Sequence, residues 1–369
     1  MGSHFRARRG LRALVVSIGI SVTLAGLSAS GASADTPTNL QRGQQSAQWL
    51  ANQIKVNGGV LHNFGKIDPI DTAYAVIGIR AVGVDKAAAN LATAYLKRHI
   101  GADVQSGGHD APGALAEYIM AAKANGEDAR HFGGNAAKNN LVARLLATAR
   151  TKGNDKGLFG VQSPTFDGAF RQGLALAALK AVNVAASDTR VKAGIAWLTK
   201  QQCANGMWQA YRANPATACP AADPATFSGP DTNSISLAVQ GLAAWGKFPR
   251  ATSVLPSLRS IQSADGGFPY VAAANQASDP DSTALVIQAI LAENNSPNSS
   301  IWSKGTGTPY TALASYQLGC TSPDFGAFLF AGSTAGNTFA TVQAVPAMAG
   351  KKLPVSTSAA SVIVPLTPC

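Results

Sequence analysis

Acids next to proline recur in this chain where they could do chemistry. The segment Asp279-Pro280-Asp281-Ser282-Thr283-Ala284 sets two carboxylates two positions apart. Asp68-Pro69-Ile70-Asp71 opens another helix in nearly the same way, and Pro230-Asp231-Thr232 and Asp167-Gly168 open two more. Asp at the N-cap, Pro at the first helical position and an acid in the first turn is ordinary helix-start chemistry. If the helices concerned all start at one end, Asp68, Asp71, Asp167, Asp231, Asp279 and Asp281 also form an acidic rim, able to bind a polar or cationic group. Glu117 lies on a further helix of the same kind. It could act as an acid opposite Asp281, in the manner of a glycosidase carboxylate pair; a satisfied buried or rim acid is the plainer reading.

Other chemistries lack their residues. The four cysteines, Cys203, Cys219, Cys320 and Cys369, have no Cys-x-x-Cys spacing, so no metal site is expected. An even count in an exported chain suggests two disulfides with three possible pairings; Cys203–Cys219 and Cys320–Cys369 are the preferred pair. There is no Gly-x-Ser-x-Gly nucleophile and no Gly-x-x-x-x-Gly-Lys-Ser/Thr phosphate loop. His62, His99, His109 and His131 are scattered, and the five tryptophans read as packing between repeats rather than as a ligand box.

The elements that position these acids are helical. Hydrophobic residues make up 46% of the 369 residues and charged residues 13%, which excludes a disordered chain. Six Ala-rich apolar stretches, 73–82, 113–124, 168–182, 234–245, 282–292 and 338–349, recur at spacings of 43 to 63 residues. Helices apolar most of the way round are buried ones. More amphipathic stretches lie between them, at 44–55, 86–99, 137–150, 189–202, 250–261 and 309–318. The period fits a two-helix repeat. Six inner and six outer helices close into an all-α (α/α)6 toroid, a single domain over residues 35–369.

Residues 1–34 read as a secretory signal peptide: Arg6, Arg8, Arg9 and Arg12, an apolar run from Leu14 to Leu27, and Ala32-Ser33-Ala34 before the cleavage point. A secreted protein without an integral membrane segment is expected. The remaining chain carries 26 basic and 19 acidic residues, net +7, with no basic run, so nucleic-acid binding is not expected.

Outer stretches end in a recurring turn. Leu198-x-x-x-Gln202-x-x-x-Gly206-x-Trp208 and Leu258-x-x-x-Gln262-x-x-x-Gly266-x-Phe268 are full copies. Looser ones hold Gln53 with Gly58 and Gly59, and Gln317 with Phe325-Gly326-Ala327-Phe328. These turns resemble the Gln-Trp repeat of the squalene cyclase and prenyltransferase toroids. Within that resemblance, Asp279-Pro280-Asp281-Ser282-Thr283-Ala284 is similar to the Asp-x-Asp-Asp-Thr-Ala motif of class II terpenoid cyclases, with Ser282 where the family has its third acid. Asp281 would then be the proton donor, assisted by Asp279, and no cofactor is implied. Zinc-dependent prenyl transfer is not expected, because no Asp-x-Cys with a later His exists, and the Cys-Gly-Glu-Gln of thioester domains is absent. The secreted, disulfide-stapled toroid of intrinsic factor and transcobalamin is a more distant likeness, seen in the closing stretch 337–354. Together these imply a toroid that binds an apolar or polycyclic small molecule, or a partner's loop, at the mouth of its central cavity. A class II-like cyclase and a structural cell-surface module are the alternatives.

Overall fold

Six helices, three of them opening on proline and each followed by a left-handed residue, build the inner layer of this computed structural model. The structure describes residues 36–134, 139–163, 165–247, 251–367 and 369; the expected signal peptide lies outside them. Among the described residues there are twelve α-helices. The inner six are α2 (Pro69–Val82), α4 (Pro112–Ala124), α6 (Ala169–Ala181), α8 (Thr232–Ala244), α10 (Pro280–Ala292) and α12 (Thr338–Met348). The outer six are α1 (Asn39–Val56), α3 (Lys86–Asp103), α5 (Leu141–Ala147), α7 (Thr189–Lys200), α9 (Ala251–Ile261) and α11 (Pro309–Ser315). Each inner helix packs on the next, and α12 packs back on α2, which closes the ring. The (α/α)6 toroid expected from the repeats is the architecture found.

Every inner helix stops at a residue with positive φ: Gly83, Gly126, Asn183, Gly246, Asn294 and Gly350. Gly and Asn tolerate this conformation and free the last carbonyls for the closing turn. The closest crossing, α6 on α8, depends on glycine. A Cβ on Gly173 would lie 2.1 Å from the Leu237 carbonyl oxygen, and one on Gly241 2.7 Å from Gly173 Cα.

The Gln-Gly-aromatic turns tie each repeat to its neighbour. Gln262 Nε2 donates to the Gly266 carbonyl at 2.8 Å and to the Trp302 carbonyl at 2.7 Å, so one amide bridges its own turn and the next repeat. Gln202 donates to the Gly206 carbonyl, and Gln317 to the carbonyls of Arg42 and Gly326, which joins the last repeat to the first. Behind each turn lies a residue missed by the sequence pattern. The backbone N–H groups of Leu61, Phe268 and Phe328 donate to the hydroxyls of Thr72, Thr283 and Thr341. Phe159 N–H donates instead to the Gln172 side chain. Thr283, part of the acidic motif, is thus a structural residue.

Two outer helices are shorter than expected. After α5, the Arg150 N–H and C=O pair with Leu158 and Gly157; after α11, Leu318 pairs with Ala327 and Gly326. The following turns take backbone groups that a longer helix would need. Both preferred disulfides are present, with Cα–Cα separations of 5.7 Å for Cys203–Cys219 and 5.2 Å for Cys320–Cys369. No helix among the described residues is long and apolar enough to cross a membrane.

Three short antiparallel hairpins, β1 (Leu61–Asn63) with β2 (Lys66–Asp68), β3 (Gln105–Ser106) with β4 (His109–Asp110), and β5 (Phe328–Leu329) with β6 (Gly336–Asn337), lead into inner helices and surround their N-terminal end. The last residues cross the opposite end. Leu353 is buried and its N–H donates to Gln240; Ser358 and Val362 N–H donate to the Arg80 and Gly83 carbonyls; Lys352 reaches the Leu291 carbonyl. The ring is therefore capped at its C-terminal end and open at its N-terminal end.

Candidate functional site

The open end holds a cavity of about 340 Å³. Its walls come from the first two turns of the inner helices. Ile70, Asp71 and Tyr74 stand on α2, Ala114 and Glu117 on α4, Phe170, Arg171 and Leu174 on α6. Leu237, Leu285, Phe339, Val342 and Gln343 complete them from α8, α10 and α12, and Asp103, Gln105 and Ser106 lie at the edge. The recurring offset of three or four residues puts these side chains on one helix face. Gly113 makes room for Arg171: a Cβ there would meet the arginine Cγ at 3.1 Å.

Two carboxyls from the inner helices stand in this cavity, and that of Asp103 lies at its edge. Asp71 is 5% exposed; Thr338 Oγ1 donates to its Oδ2 at 3.4 Å. Burial, and then the nearby charge of Asp68, push its pKa up to about 8. Glu117 is 8% exposed and its Oε2 has no hydrogen-bond partner. Burial, with Asp71 and Asp68 adding to it and Arg171 opposing, raises its pKa well above the ordinary value. Tyr74 is buried beside Glu117. Its hydroxyl lies near Gln288 without reaching hydrogen-bond geometry, and its pKa is raised, by burial first and the Glu117 charge second.

The other acids singled out in the sequence divide by role. Asp68 accepts from the N–H groups of Ile70 and Asp71, Asp231 from Ser234 N–H at 2.7 Å, and Asp279 from Ser282 N–H at 2.8 Å. All three cap inner helices. Burial lifts Asp231 to about 6 against the pull of its capping bonds. Asp281 sits in the first turn of α10, 2% exposed, with Oδ1 unpartnered. Burial, Asp279 and Asp71 raise it to about 8. It is coupled electrostatically to Asp71 but does not line the cavity wall. Asp167 lies apart. It accepts from Val161 N–H, Thr165 Oγ1 and Arg171 Nη1, and borders a separate cleft with Asp110 and Arg144.

Solved structures with this architecture carry different chemistries. The type II terpene cyclase MstE from Scytonema, in complex with geranylgeranyl dihydroxybenzoate, is 13% identical. It covers 85% of this chain and 98% of that one, with a TM-score of 0.51. The chain has the α/α toroid fold. An unsaturated glucuronyl hydrolase specific for heparin matches as well, at 10% identity, with 84% of this chain and 95% of that one covered and a TM-score of 0.58. At these identities the likeness shows the toroid alone, and the toroid hosts both a cyclase and a hydrolase, so activity must be argued from the site. No family model matches the chain, and no curated protein matches it.

The toroid therefore offers an apolar cavity with buried carboxyls held in their neutral form near pH 7. Such a carboxyl can donate a hydrogen bond or a proton. Among the described residues no group of His, Cys, Asp or Glu has metal-site geometry. Asp71 and Glu117 were legible as acids. Tyr74, Phe170, Arg171, Phe339 and Gln343 were not singled out; the signal that could have found them is the offset of three or four residues from each inner-helix start.

Proposed function

We propose that the protein is an exported binding toroid that holds an apolar or polycyclic small molecule in the cavity at the open end of its ring. The observation that carries this reading is the cavity itself. Its volume of about 340 Å³ lies in the range of small-ligand sites, its walls are mostly aliphatic and aromatic, and a few buried polar groups converge on it. The paired cysteines and the export-like first 34 residues agree with a site outside the cytoplasm. The purified protein is expected to retain a small molecule from its producer's culture extract, detected by mass spectrometry after denaturation. Widening Ala114→Trp should abolish retention, because the new side chain fills the cavity. An empty protein after exposure to the extract contradicts the reading.

A second reading has one observation in its favour. Asp281 is buried, unpartnered at Oδ1 and raised to about 8, as the proton donor of a class II-like cyclase must be. Asp281→Asn then abolishes product formation from a polyprenyl substrate and leaves binding in place. Unchanged turnover in that variant, or none in the parent protein, removes this alternative.

A further inference from the structure

The polar groups around the cavity have a sign that a neutral hydrocarbon ligand does not use. We infer that the cavity at the open end takes an organic ammonium ion, an amine carried on an apolar body, with Asp71 and Glu117 facing the cationic nitrogen and aromatic rings against its substituents. The inference rests on the small-molecule reading of the same cavity and names the ligand's chemical class.

Three observations converge. Glu117 and Gln343 line the cavity, each more than nine-tenths buried, and each has a side-chain oxygen without a partner. Buried oxygens left without a partner point uncompensated negative partial charge into the cavity, which a cationic nitrogen would meet. Phe170, Phe339 and Tyr74 supply aromatic rings in the same wall, the usual companions of carboxylates around alkylammonium groups. The charge balance is also one-sided. The titratable groups facing Asp71 and Glu117 are Asp68 and Tyr74 from α2, Asp103 from the end of α3, Tyr118 from α4, Asp281 from α10 and Arg171 from α6. α8 and α12 bring no titratable side chain. The one cation among the described residues here, Arg171, is already engaged by Asp167 Oδ1 at 3.0 Å and by the Thr165 carbonyl. Acids therefore outnumber available positive charge at this end.

The protonation chemistry gives a distinctive signature. When a quaternary ammonium meets a protonated carboxyl, the O–H bond breaks, the carboxylate pairs with the cation, and one proton passes to the buffer. Affinity for a permanent cation must then rise with pH until the carboxyls are ionised without it, whereas affinity for a neutral molecule of the same shape must not.

The test compares phenyltrimethylammonium with its neutral carbon isostere tert-butylbenzene by ligand-observed NMR titration. For the cation, proton release is also measured by calorimetry in two buffers of different ionisation enthalpy. The cation is expected to bind more tightly by about tenfold near pH 8, to tighten between about pH 6 and pH 8, and to release protons. Glu117→Gln is expected to erase the preference, and Asp71→Asn to reduce it. Equal binding of the two probes, or binding of the isostere alone, overturns the ammonium inference and leaves the small-molecule reading standing. Binding of neither probe overturns the inference; the small-molecule reading then stands or falls separately on the extract experiment. The comparison of probes on the parent protein decides the matter even if a variant fails to fold.

Discussion

The two ends of the ring are built from the same six helices and treat charge in opposite ways. At the open end the inner helices carry Asp71, Glu117 and Asp281; at the capped end they carry Arg80, Lys123 and Lys180. Acids at N-termini and bases at C-termini suit the helix dipole, so the polarity itself needs no function. What differs is what lies across the helix ends. Lys180 lies over the Trp245 ring, and the C-terminal residues lie across the capped end with their N–H groups on inner-helix carbonyls. Buried atoms without a partner occur at both ends, Glu117 Oε2 and Asp281 Oδ1 at the open one, Arg80 Nη1 and Glu293 Oε1 at the capped one. The backbone tells the same story. Left-handed residues after the inner helices are Gly or Asn, which tolerate that conformation, whereas loops entering α2, α6 and α8 hold Phe64, Phe166 and Phe227 at φ of 48°, 55° and 52°. Those three phenylalanines are largely exposed. Bulky residues there carry strain, and strain collects where a protein is built for something other than stability.

The largest expected effect breaks the capped end. Ending the chain after Gly350 removes buried Leu353, strips Gln240 and the Arg80 and Gly83 carbonyls of their partners, and deletes Cys369 and with it the Cys320–Cys369 disulfide. A loss on the order of 4 kcal/mol or more is expected in urea unfolding. An unchanged midpoint would mean that the two ends are alike in being dispensable.

The seam between repeats comes next. Gln262→Ala removes two buried hydrogen bonds to carbonyls in adjoining repeats. It should cost about 2–3 kcal/mol, measured in the same way.

A smaller effect sharpens the electrostatic contrast. The native protein holds a proton on Asp71, raised to about 8, that the unfolded chain releases near the ordinary aspartate value of 3.8. Folding stability from this group is therefore complete below about pH 4 and declines as pH rises toward 8. Asp281, also raised to about 8, acts in the same direction. Asp71→Asn should flatten this decline and stabilise the ligand-free protein at pH 8 by roughly 1–3 kcal/mol. A parent protein whose thermal midpoint rises over that interval would refute the assignment.

The smallest concerns the backbone. Phe166→Gly relieves a left-handed phenylalanine and should gain about 1 kcal/mol, whereas Asn183→Phe at the capped end should lose a similar amount. Calorimetric melting of the two variants checks the opposite signs.

Much of the ring was legible because its determinants are local. Gln202, Gln262 and their glycines announce each turn within nine residues, and the apolar stretches announce the inner layer. The chain from Gly350 onward carries no periodic pattern, because it is held by carbonyls of distant helices, and its capping role was invisible. The acids show the same division. Asp68 and Asp71, or Asp279 and Asp281, look alike as helix-start residues. Only the packing of α2 against α4 and α12 separates the capping Asp68 from Asp71 in the cavity wall. Asp167 fits the rim pattern equally well, yet Gly160 and Thr165 turn it into a neighbouring cleft, a matter of loop geometry that spacing does not encode.

The most direct test of the contrast between the ends is a carbon-13 NMR titration of the aspartate and glutamate carboxyls, with Asp71→Asn and Glu117→Gln used for assignment. The account predicts that Asp71 loses its proton near pH 8 and that Glu117 titrates well above the ordinary glutamate range, while the capping Asp188, held down to about 2 by Arg190, is already ionised throughout. Midpoints for Asp71 and Glu117 in the ordinary carboxylate range would show a hydrated, ionised mouth and contradict it.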